Sequence, residues 1–233
     1  MLVGRSRYAR IGGNPEEVNE IALYAIPAGI IGGRLYHVLT SPDAYFGAGG
    51  NPWSALKIWQ GGMGIWGAIA LGLLVSFIVF RSKERSLSFL HFADALAPGL
   101  LIAQAIGRWG NWFNGELFGR PTHLPWALSV PLAKRPAGFE NYLTFHPTFL
   151  YESLWCLLAA IVLLKLPLFA KRVGSGVVLL GYAALYTLGR TWIEALRIDN
   201  AHLILGLRLN IWVSAIIFIL ATLVLIRRIR FTR

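Results

Sequence analysis

The chain has 233 residues, of which 56% are hydrophobic and only 14% are charged, whereas soluble domains carry about 25% charged residues. This composition excludes a disordered chain, a disulfide scaffold and an ordinary soluble enzyme, and it favours an integral membrane protein. The 22 Lys and Arg residues outnumber the 11 Asp and Glu residues, and the net charge of +11 indicates either a nucleic-acid partner or the loops of a membrane protein.

Six apolar stretches reach or approach the roughly 20 residues that a helix needs to cross a bilayer. The predicted spans are 21–39, 62–80, 88–106, 147–166, 177–195 and 207–226. Small residues such as Gly67, Ala68 and Gly72 recur within them, and small residues let helices approach closely in lipid. We therefore expect an all-α, polytopic helical membrane protein with a single membrane-embedded domain over residues 1–233.

The basic residues are distributed unevenly about these spans. Thirteen flank one side, seven flank the other, and Arg34 and Arg190 lie within spans. Loops rich in Lys and Arg stay on the cytoplasmic side of a membrane, so the side with thirteen basic residues, which includes both termini, is predicted to be cytoplasmic. Residues 1–19 then form a basic cytoplasmic tail, and residues 107–146 face outward. Charges that flank spans do not form one surface, so no nucleic-acid partner is expected. The thirteen are Arg5, Arg7, Arg10, Arg81, Lys83, Arg85, Lys165, Lys171, Arg172, Arg227, Arg228, Arg230 and Arg233.

The Gly-rich segment 107–120, GRWGNWFNGELFGR, joins spans three and four and carries a polar cluster. Its glycines make a regular helix unexpected, and its aromatic residues are typical of the membrane interface. Arg108 could bind a phosphate in a bidentate way, while Asn111 and Asn114 could orient glycerol hydroxyls or amides. Glu116 could accept a proton or hold Arg108. The alternative is an interfacial loop whose polar groups are satisfied.

The fifth predicted span carries ionisable residues, and each costs about 2.5 kcal/mol or more in a bilayer. Tyr186, Arg190, Glu194 and Arg197 follow one another at steps of four, four and three. These steps place them on one helical face that points into a bundle or a wet cavity. An Arg190–Glu194 pair that only fixes helix packing is one interpretation. The extension of the polar face to Arg197 and Asp199 favours a charged substrate that arrives at the outer boundary.

Three further polar residues lie within the first and fourth predicted spans or at their ends. Arg34 in the first span could contact a lipid headgroup or only anchor its helix. His146, at the start of the fourth span, is expected to be a structural hydrogen bonder more often than a base. Glu152 lies one turn further along and is expected to pair with a basic residue of the polar cluster. The histidines show no metal-ligand spacing.

Four motifs together resemble the prolipoprotein diacylglyceryl transferase family, in order along almost the whole chain. They are GRWGNWFNGELFG, HPTFLYE, GGRLYHV and the GR-x3-E-x2-R-x-D pattern at 189–199. The resemblance implies transfer of the diacylglyceryl group of phosphatidylglycerol to the thiol of the lipobox cysteine of a prolipoprotein. A thioether forms, and glycerol 1-phosphate is released. It also implies a bacterial cell membrane, an active site toward the outer leaflet, a cytoplasmic C-terminus, and no metal or organic cofactor.

The resemblance assigns roles by position, most strongly phosphatidylglycerol binding to Arg108 and an essential role to Arg190. The expected catalytic residues are Arg108, Asn111, Asn114, Glu116, Arg190 and Glu194. The expected substrate-binding residues are Arg108, Gly119, Tyr186, Arg190, Arg197, Arg34 and His146.

The chain departs from the family pattern in two ways. The family has seven spans with an outward N-terminus, whereas six are visible here, so we expect that the first is missing because the start is truncated or misassigned. Many members also have a His after the Gly-Gly-Met of span two, where this chain has Trp66, which cannot accept a proton. The candidates for the general base are, in order, Glu116 or Glu194 and then His146, with Tyr186 also possible.

Two other classes of function remain as alternatives. A transporter of an anionic substrate would place the same charges at the bilayer midplane, on broken helices of two related halves. No internal repeat is visible in the sequence. A scaffold protein would not need an Arg-Asn-Asn-Glu block in a Gly-rich interfacial segment.

Overall fold

The computed structural model describes residues 1–47, 49–199, 201 and 203–231, so Arg233 of the basic set lies outside the described residues. Helices dominate the described chain. They are α1 (Leu2–Arg10), α2 (Pro15–Thr40), α3 (Asp43–Phe46), α4 (Ile65–Arg81), α5 (Phe89–Gly107), α6 (Trp109–Asn114), α7 (Thr148–Lys165), α8 (Pro167–Ala170), α9 (Val177–Leu196) and α10 (Leu209–Phe231). The strands are β1 (Leu128–Ser129), β2 (Thr144–Phe145), β3 (Leu203–Ile204) and β4 (Leu207–Arg208).

Each of the six predicted spans coincides with a long helix, which confirms the all-α membrane fold. Among the described residues, α2, α7, α10 and the continuous stretch formed by α5 and α6 are long and apolar enough to cross a membrane. Helix α4 is apolar but shorter. Helix α9 carries Arg190 and Glu194 within its length, so a crossing by this helix stays a prediction.

The prediction of an irregular Gly-rich segment is wrong for its first half, because α6 covers Trp109–Asn114. Glycine permits a helix as well as a bend, and here aromatic packing favours the helix. Trp109 and Trp112 both pack against the ring of Phe149 on α7. Only after this helix does the backbone turn, at Gly115 with a φ of 64°.

The chain forms two compact units, of which the first comprises Met1 and residues 8–89. In this unit α2 and α4 pack through glycines. A Cβ atom added to Gly67 would clash with the carbonyl oxygen of Gly32, and one added to Gly32 would clash with the carbonyl of Gly67. The two backbones therefore touch, as expected for small residues at a helix interface in lipid.

The second unit comprises residues 2–7 and 90–233. Its core lies between α5, α7 and α9, where Leu101, Cys156 and Leu163 are fully buried. Asp94 on α5 accepts hydrogen bonds from the backbone N–H groups at the start of α9, including that of Gly176 at 2.8 Å. This carboxylate satisfies donors that a helix start leaves unpaired, and so fixes where α9 begins.

Two small antiparallel pairs complete the second unit. Strands β1 and β2 pair with Leu128 opposite Phe145, and they cover a small core that contains Phe118 and Val130. Strands β3 and β4 form a hairpin with Ile204 opposite Leu207, and this hairpin leads directly into α10. The hairpin places the side chains of β4 next to the end of α9, which is where the polar residues gather.

Candidate active site

The polar face of α9 forms the centre of a charged cluster. Arg190 and Glu194 make an ion pair of 2.5 Å between Nη2 and Oε2, and Arg197, which caps the helix, lies 3.4 Å from the same Oε2. The side chain of Glu194 is completely buried. The ion pair between Arg190 and Glu194 is therefore present, while Arg197 follows directly after the last residue of α9. That this polar face binds a charged substrate stays a prediction.

Glu152 on α7 connects this face to Arg108, which stands between α5 and α6. Its Oε1 lies 2.7 Å from Nη2 of Arg108, and its Oε2 lies 3.3 Å from Nη1 of Arg190. The expected pairing of Glu152 with a basic residue is thus confirmed, and it involves two arginines. One buried carboxylate holds together the two guanidinium groups that the sequence singled out separately.

Arg208 on β4 is a member of the cluster that the sequence analysis missed. Its Nε donates to Oε1 of Glu194 at 2.8 Å, and its Nη2 donates to Oδ2 of Asp199 at 2.8 Å. Asp199 in turn makes a two-pronged pair with Arg197, at 2.7 and 2.8 Å. Arg208 lies outside any helical periodicity, so only the unexplained excess of arginine at the outer boundary could have indicated it.

The cluster can accept an anion. Its four arginines face three carboxylates, which leaves a net charge of +1. Arg108 is the most open of the four, with 23% of its side chain exposed. Within the described residues only Nη2 of Arg108 has a protein acceptor, so Nε and Nη1 can donate to a ligand. A guanidinium with two open donors is suited to a phosphate.

Glu116 lies with the two asparagines of the same motif. Its Oε1 accepts hydrogen bonds from Nδ2 of Asn111 at 3.2 Å and from Nδ2 of Asn114 at 3.0 Å. The Lys134 ammonium donates to the carbonyl of Asn114 at 2.6 Å. In the part of the chain that the structure describes, Glu116 binds these amides and makes no ion pair with Arg108. Of the two interpretations of Glu116, proton acceptor or partner of Arg108, the geometry favours the first.

Gly119 joins the signature segment to the end of α9. Its N–H donates to the carbonyl of His146 at 2.9 Å, and it pairs with Arg197 in an isolated β-bridge. A Cβ atom here would lie 2.9 Å from Cβ of His146 and 3.1 Å from the carbonyl oxygen of Leu196. Glycine is therefore required by this close approach, and a substrate-binding role for Gly119 stays a prediction.

His146 and Tyr186 each have aromatic partners of their own. Nδ1 of His146 is hydrogen-bonded to the hydroxyl of Tyr151 at 3.0 Å, and this hydroxyl also accepts from Nε1 of Trp126. Tyr186 stacks on Tyr182, with ring centroids 6.0 Å apart and planes within 5°. The roles predicted for His146 and Tyr186 in substrate binding stay predictions.

Arg34 lies in the first unit and is only 8% exposed. Its guanidinium lies over the ring of Tyr45, 5.2 Å from the centroid, and donates to backbone carbonyls of the loop that follows α3. The acceptors are the carbonyl oxygens of Ser54, Ala55, Lys57, Gly61 and Gly62. This geometry favours the anchoring interpretation of Arg34, while its contact with a headgroup stays a prediction.

Comparison with known proteins identifies relatives that are similar in sequence to almost the whole chain. A family model described as Prolipoprotein diacylglyceryl transferase matches residues 1–227. The chain is 53% identical over 220 residues to phosphatidylglycerol–prolipoprotein diacylglyceryl transferase 2 of Streptomyces coelicolor, which covers 93% of this chain and 68% of that protein. It is 52% identical to the Frankia alni enzyme of that name, with 97% and 58% covered. For the Cutibacterium acnes enzyme the identity is 50%, with 97% and 75% covered.

Proposed function

The chain belongs to the prolipoprotein diacylglyceryl transferase family, and from this premise we propose that it transfers diacylglyceryl from phosphatidylglycerol to a prolipoprotein. The relatives carry that donor and that acceptor in their names. The observation that supports the proposal is the bridge from Arg108 through Glu152 to Arg190, which leaves donors of Arg108 open to an anion. Transport of an anionic substrate is not favoured, because the relatives are named as transferases.

In the proposed reaction the phosphate of the donor lipid lies against Arg108 and Arg190. The acceptor is the lipobox cysteine of the prolipoprotein. Its thiolate attacks the carbon of the diacylglyceryl group that bears the phosphate ester. The C–S bond forms as the C–O bond breaks, and the bonding pair leaves with the oxygen of glycerol 1-phosphate. The two guanidinium groups stabilise the negative charge that grows on this leaving group. The step requires no metal or organic cofactor.

Glu116 is our preferred acceptor for the thiol proton. Each oxygen of Glu194 is already occupied by two donors, which come from Arg190, Arg197, Arg208 and Asn210. Oε1 of Glu116 accepts only from the two asparagine amides, and in the described chain its Oε2 accepts no hydrogen bond. Glu116 is also exposed, so an incoming thiol can reach it. His146 is the second choice.

The charge distribution supports a location in the cell membrane with the C-terminus in the cytoplasm. The end of α10 carries Arg227, Arg228 and Arg230, and basic residues of this kind remain on the cytoplasmic side. Because α9 runs away from that side, its polar end and the charged cluster belong at the outer leaflet. A prolipoprotein that emerges from the membrane would meet the cluster there.

The proposal is tested with the purified chain, phosphatidylglycerol labelled in its acyl chains, and a synthetic lipobox peptide. The label is expected to move to the peptide and not to a variant peptide with Ser in place of Cys. Arg108→Ala is expected to lower the rate at least about 100-fold, as for loss of a group that stabilises developing charge. Arg135→Ala is the control, since that arginine donates only to the backbone carbonyls of Val130 and Glu140.

Transfer by folded Arg108→Ala at the wild-type rate would contradict the mechanism. An unlabelled peptide with the wild-type chain would contradict the activity itself. In a parallel assay with labelled glycerol phosphate, uptake of this anion into vesicles, together with an unlabelled peptide in the transfer assay, would instead support the transporter.

A further inference from the structure

We propose that Arg208 is a positioning residue for the donor lipid, which acts through Glu194 to aim Arg190 at the phosphate. The inference rests on the proposed function, because it takes Arg190 as a phosphate ligand. Nothing in the sequence motifs assigns a role to Arg208, and it lies on β4, whereas the other charged residues of the cluster lie on or directly beside α6, α7 and α9. The geometry alone brings it to the cluster.

Every nitrogen of the Arg208 guanidinium is engaged. Nε donates to Glu194 at 2.8 Å and Nη2 donates to the Asp199 carboxylate at 2.8 Å, while Nη1 donates to the Asp199 carbonyl at 2.8 Å. A weaker bond of 3.3 Å joins Nη1 to the carbonyl of Arg197. With 11% of its side chain exposed and four of its five N–H donors bonded to protein acceptors, Arg208 is built to hold protein groups rather than a ligand.

The two oxygens of Glu194 are divided between two sets of donors. Oε1 accepts from Nε of Arg208 and from Nδ2 of Asn210, at 2.8 and 3.2 Å. Oε2 is thereby left to Arg190, at 2.5 Å, and to Arg197. Because Arg208 and Asn210 hold Oε1, the Glu194 carboxylate cannot rotate, and Oε2 stays where it orients the Arg190 guanidinium.

Loss of Arg208 would leave Oε1 of Glu194 with only the longer hydrogen bond from Asn210, so the carboxylate would be held less firmly. Arg190 would then keep its contact with Glu152 and lose a fixed partner on its other side. We expect Arg208→Gln to raise the KM for phosphatidylglycerol about tenfold, the lower end of the range for removal of a group that supports a ligand-binding residue. Arg208→Lys keeps the charge and one hydrogen bond, so it is expected to recover most of this loss. A partly unfolded sample would lower the rate and leave KM unchanged.

The experiment is a double-mutant cycle between Arg208→Gln and Glu194→Gln, with KM measured against the mole fraction of phosphatidylglycerol in nanodiscs. If Arg208 acts through Glu194, the Arg208→Gln change is expected to raise KM less than about twofold when Glu194 is already Gln. Arg135→Gln is the matched control, because Arg135 likewise donates its hydrogen bonds to protein acceptors, two in number, and among the described residues it makes no hydrogen bond or ion pair with the cluster. Its KM is expected to equal that of the wild type.

The inference and the proposed function fail in different ways. An inactive wild-type chain would count against the proposed function, and the same cycle would then be read from phosphatidylglycerol retention in native mass spectra. The role of Arg208 would be overturned if Arg208→Gln left both the KM for phosphatidylglycerol and the retention of this lipid unchanged. It would also be overturned if Arg208→Gln weakened binding equally with Glu194 and with Gln at that position. Weakened binding that depends on Glu194 and is relieved by Lys would support it.

Discussion

At the scale of single residues, the cluster shows how buried charges are kept in this protein. Glu152 and Glu194 are both buried, and each accepts from at least two arginines. Removal of one partner from such a group leaves an uncompensated charge, which is far more costly than the pair itself. The cluster must therefore form as a unit, and under the proposed function a lipid phosphate would neutralise its small excess of positive charge.

Asp199 makes the cluster sensitive to acid. Burial raises the pKa of this carboxyl, but the hydrogen bond and charge of Arg197, followed by the charge of Arg208, outweigh burial and hold it below its usual value. Because its pKa is lower in the folded than in the unfolded chain, ionised Asp199 stabilises the fold. This stabilisation is fully present above about pH 4, the pKa of an Asp in the unfolded chain, and it is lost as the pH falls through the lower pKa of the folded state.

We therefore expect Asp199→Asn to lower the free energy of unfolding by about 1–2 kcal/mol at neutral pH. When the pH is reduced below about 4, the variant is expected to lose less stability than the wild type, because it lacks the carboxylate that becomes protonated. Thermal unfolding in detergent across this range measures both effects. Glu84→Gln, which alters an exposed carboxylate outside the cluster, serves as the control. Parallel pH curves for wild type and Asp199→Asn would show that Asp199 does not contribute in this way.

At the scale of helices, contacts between backbones set the geometry of the first unit. Gly32 and Gly67 let α2 and α4 touch, and neither position has room for a Cβ atom. In lipid, where burial of apolar surface does not drive helices together, such close packing is a main source of their association. The interface should therefore respond sharply to single methyl groups.

Gly67→Ala is expected to destabilise the protein by about 1–3 kcal/mol, because the added methyl must displace the backbone of α2. Gly72→Ala on the same helix is the control, since its nearest neighbours would lie 3.6 Å away, in ordinary contact. The midpoint of thermal unfolding in detergent should fall for the first variant and stay or rise for the second, because Ala is the better helix former. Equal midpoints for the two variants would contradict this account of the α2–α4 interface.

In the molecule as a whole, charge and hydropathy predict the location and orientation in the membrane, whereas tertiary packing assembles the charged cluster. The family and the apolar helices make this a polytopic membrane protein. Most of the basic residues flank helix ends that the positive-inside rule assigns to the cytoplasm. Three of the arginines on the other side, Arg108, Arg197 and Arg208, belong to the charged cluster, so the residues that predict orientation and those proposed to bind substrate are different subsets of the basic residues.

This orientation predicts the accessibility of introduced cysteines in intact cells. The only native cysteine, Cys156, is buried, so it contributes little background. A cysteine at the exposed position of Trp126 is expected to react with a membrane-impermeant maleimide added outside, whereas one at exposed Lys171 is expected to react only after lysis. The reverse pattern would invert the predicted topology.

The local features of this protein could be predicted from its sequence. A period of 3.6 residues and long apolar runs depend only on neighbours along the chain, so they predicted six helices and the shared face of Tyr186, Arg190 and Glu194. They also predicted that Glu152 would have a basic partner. The family motifs added the activity, because they cover nearly the whole chain.

Which charged side chains contact one another could not be predicted from the sequence and follows from the packing of distant elements. That Glu152 joins Arg108 to Arg190, and that Arg208 holds Glu194, follows from the packing of α5, α7, α9 and a hairpin that are far apart in the chain. Packing against Phe149 also made a helix of a Gly-rich segment expected to be irregular. Such contacts depend on how side chains of different elements fit together, and no periodicity along one segment records that fit.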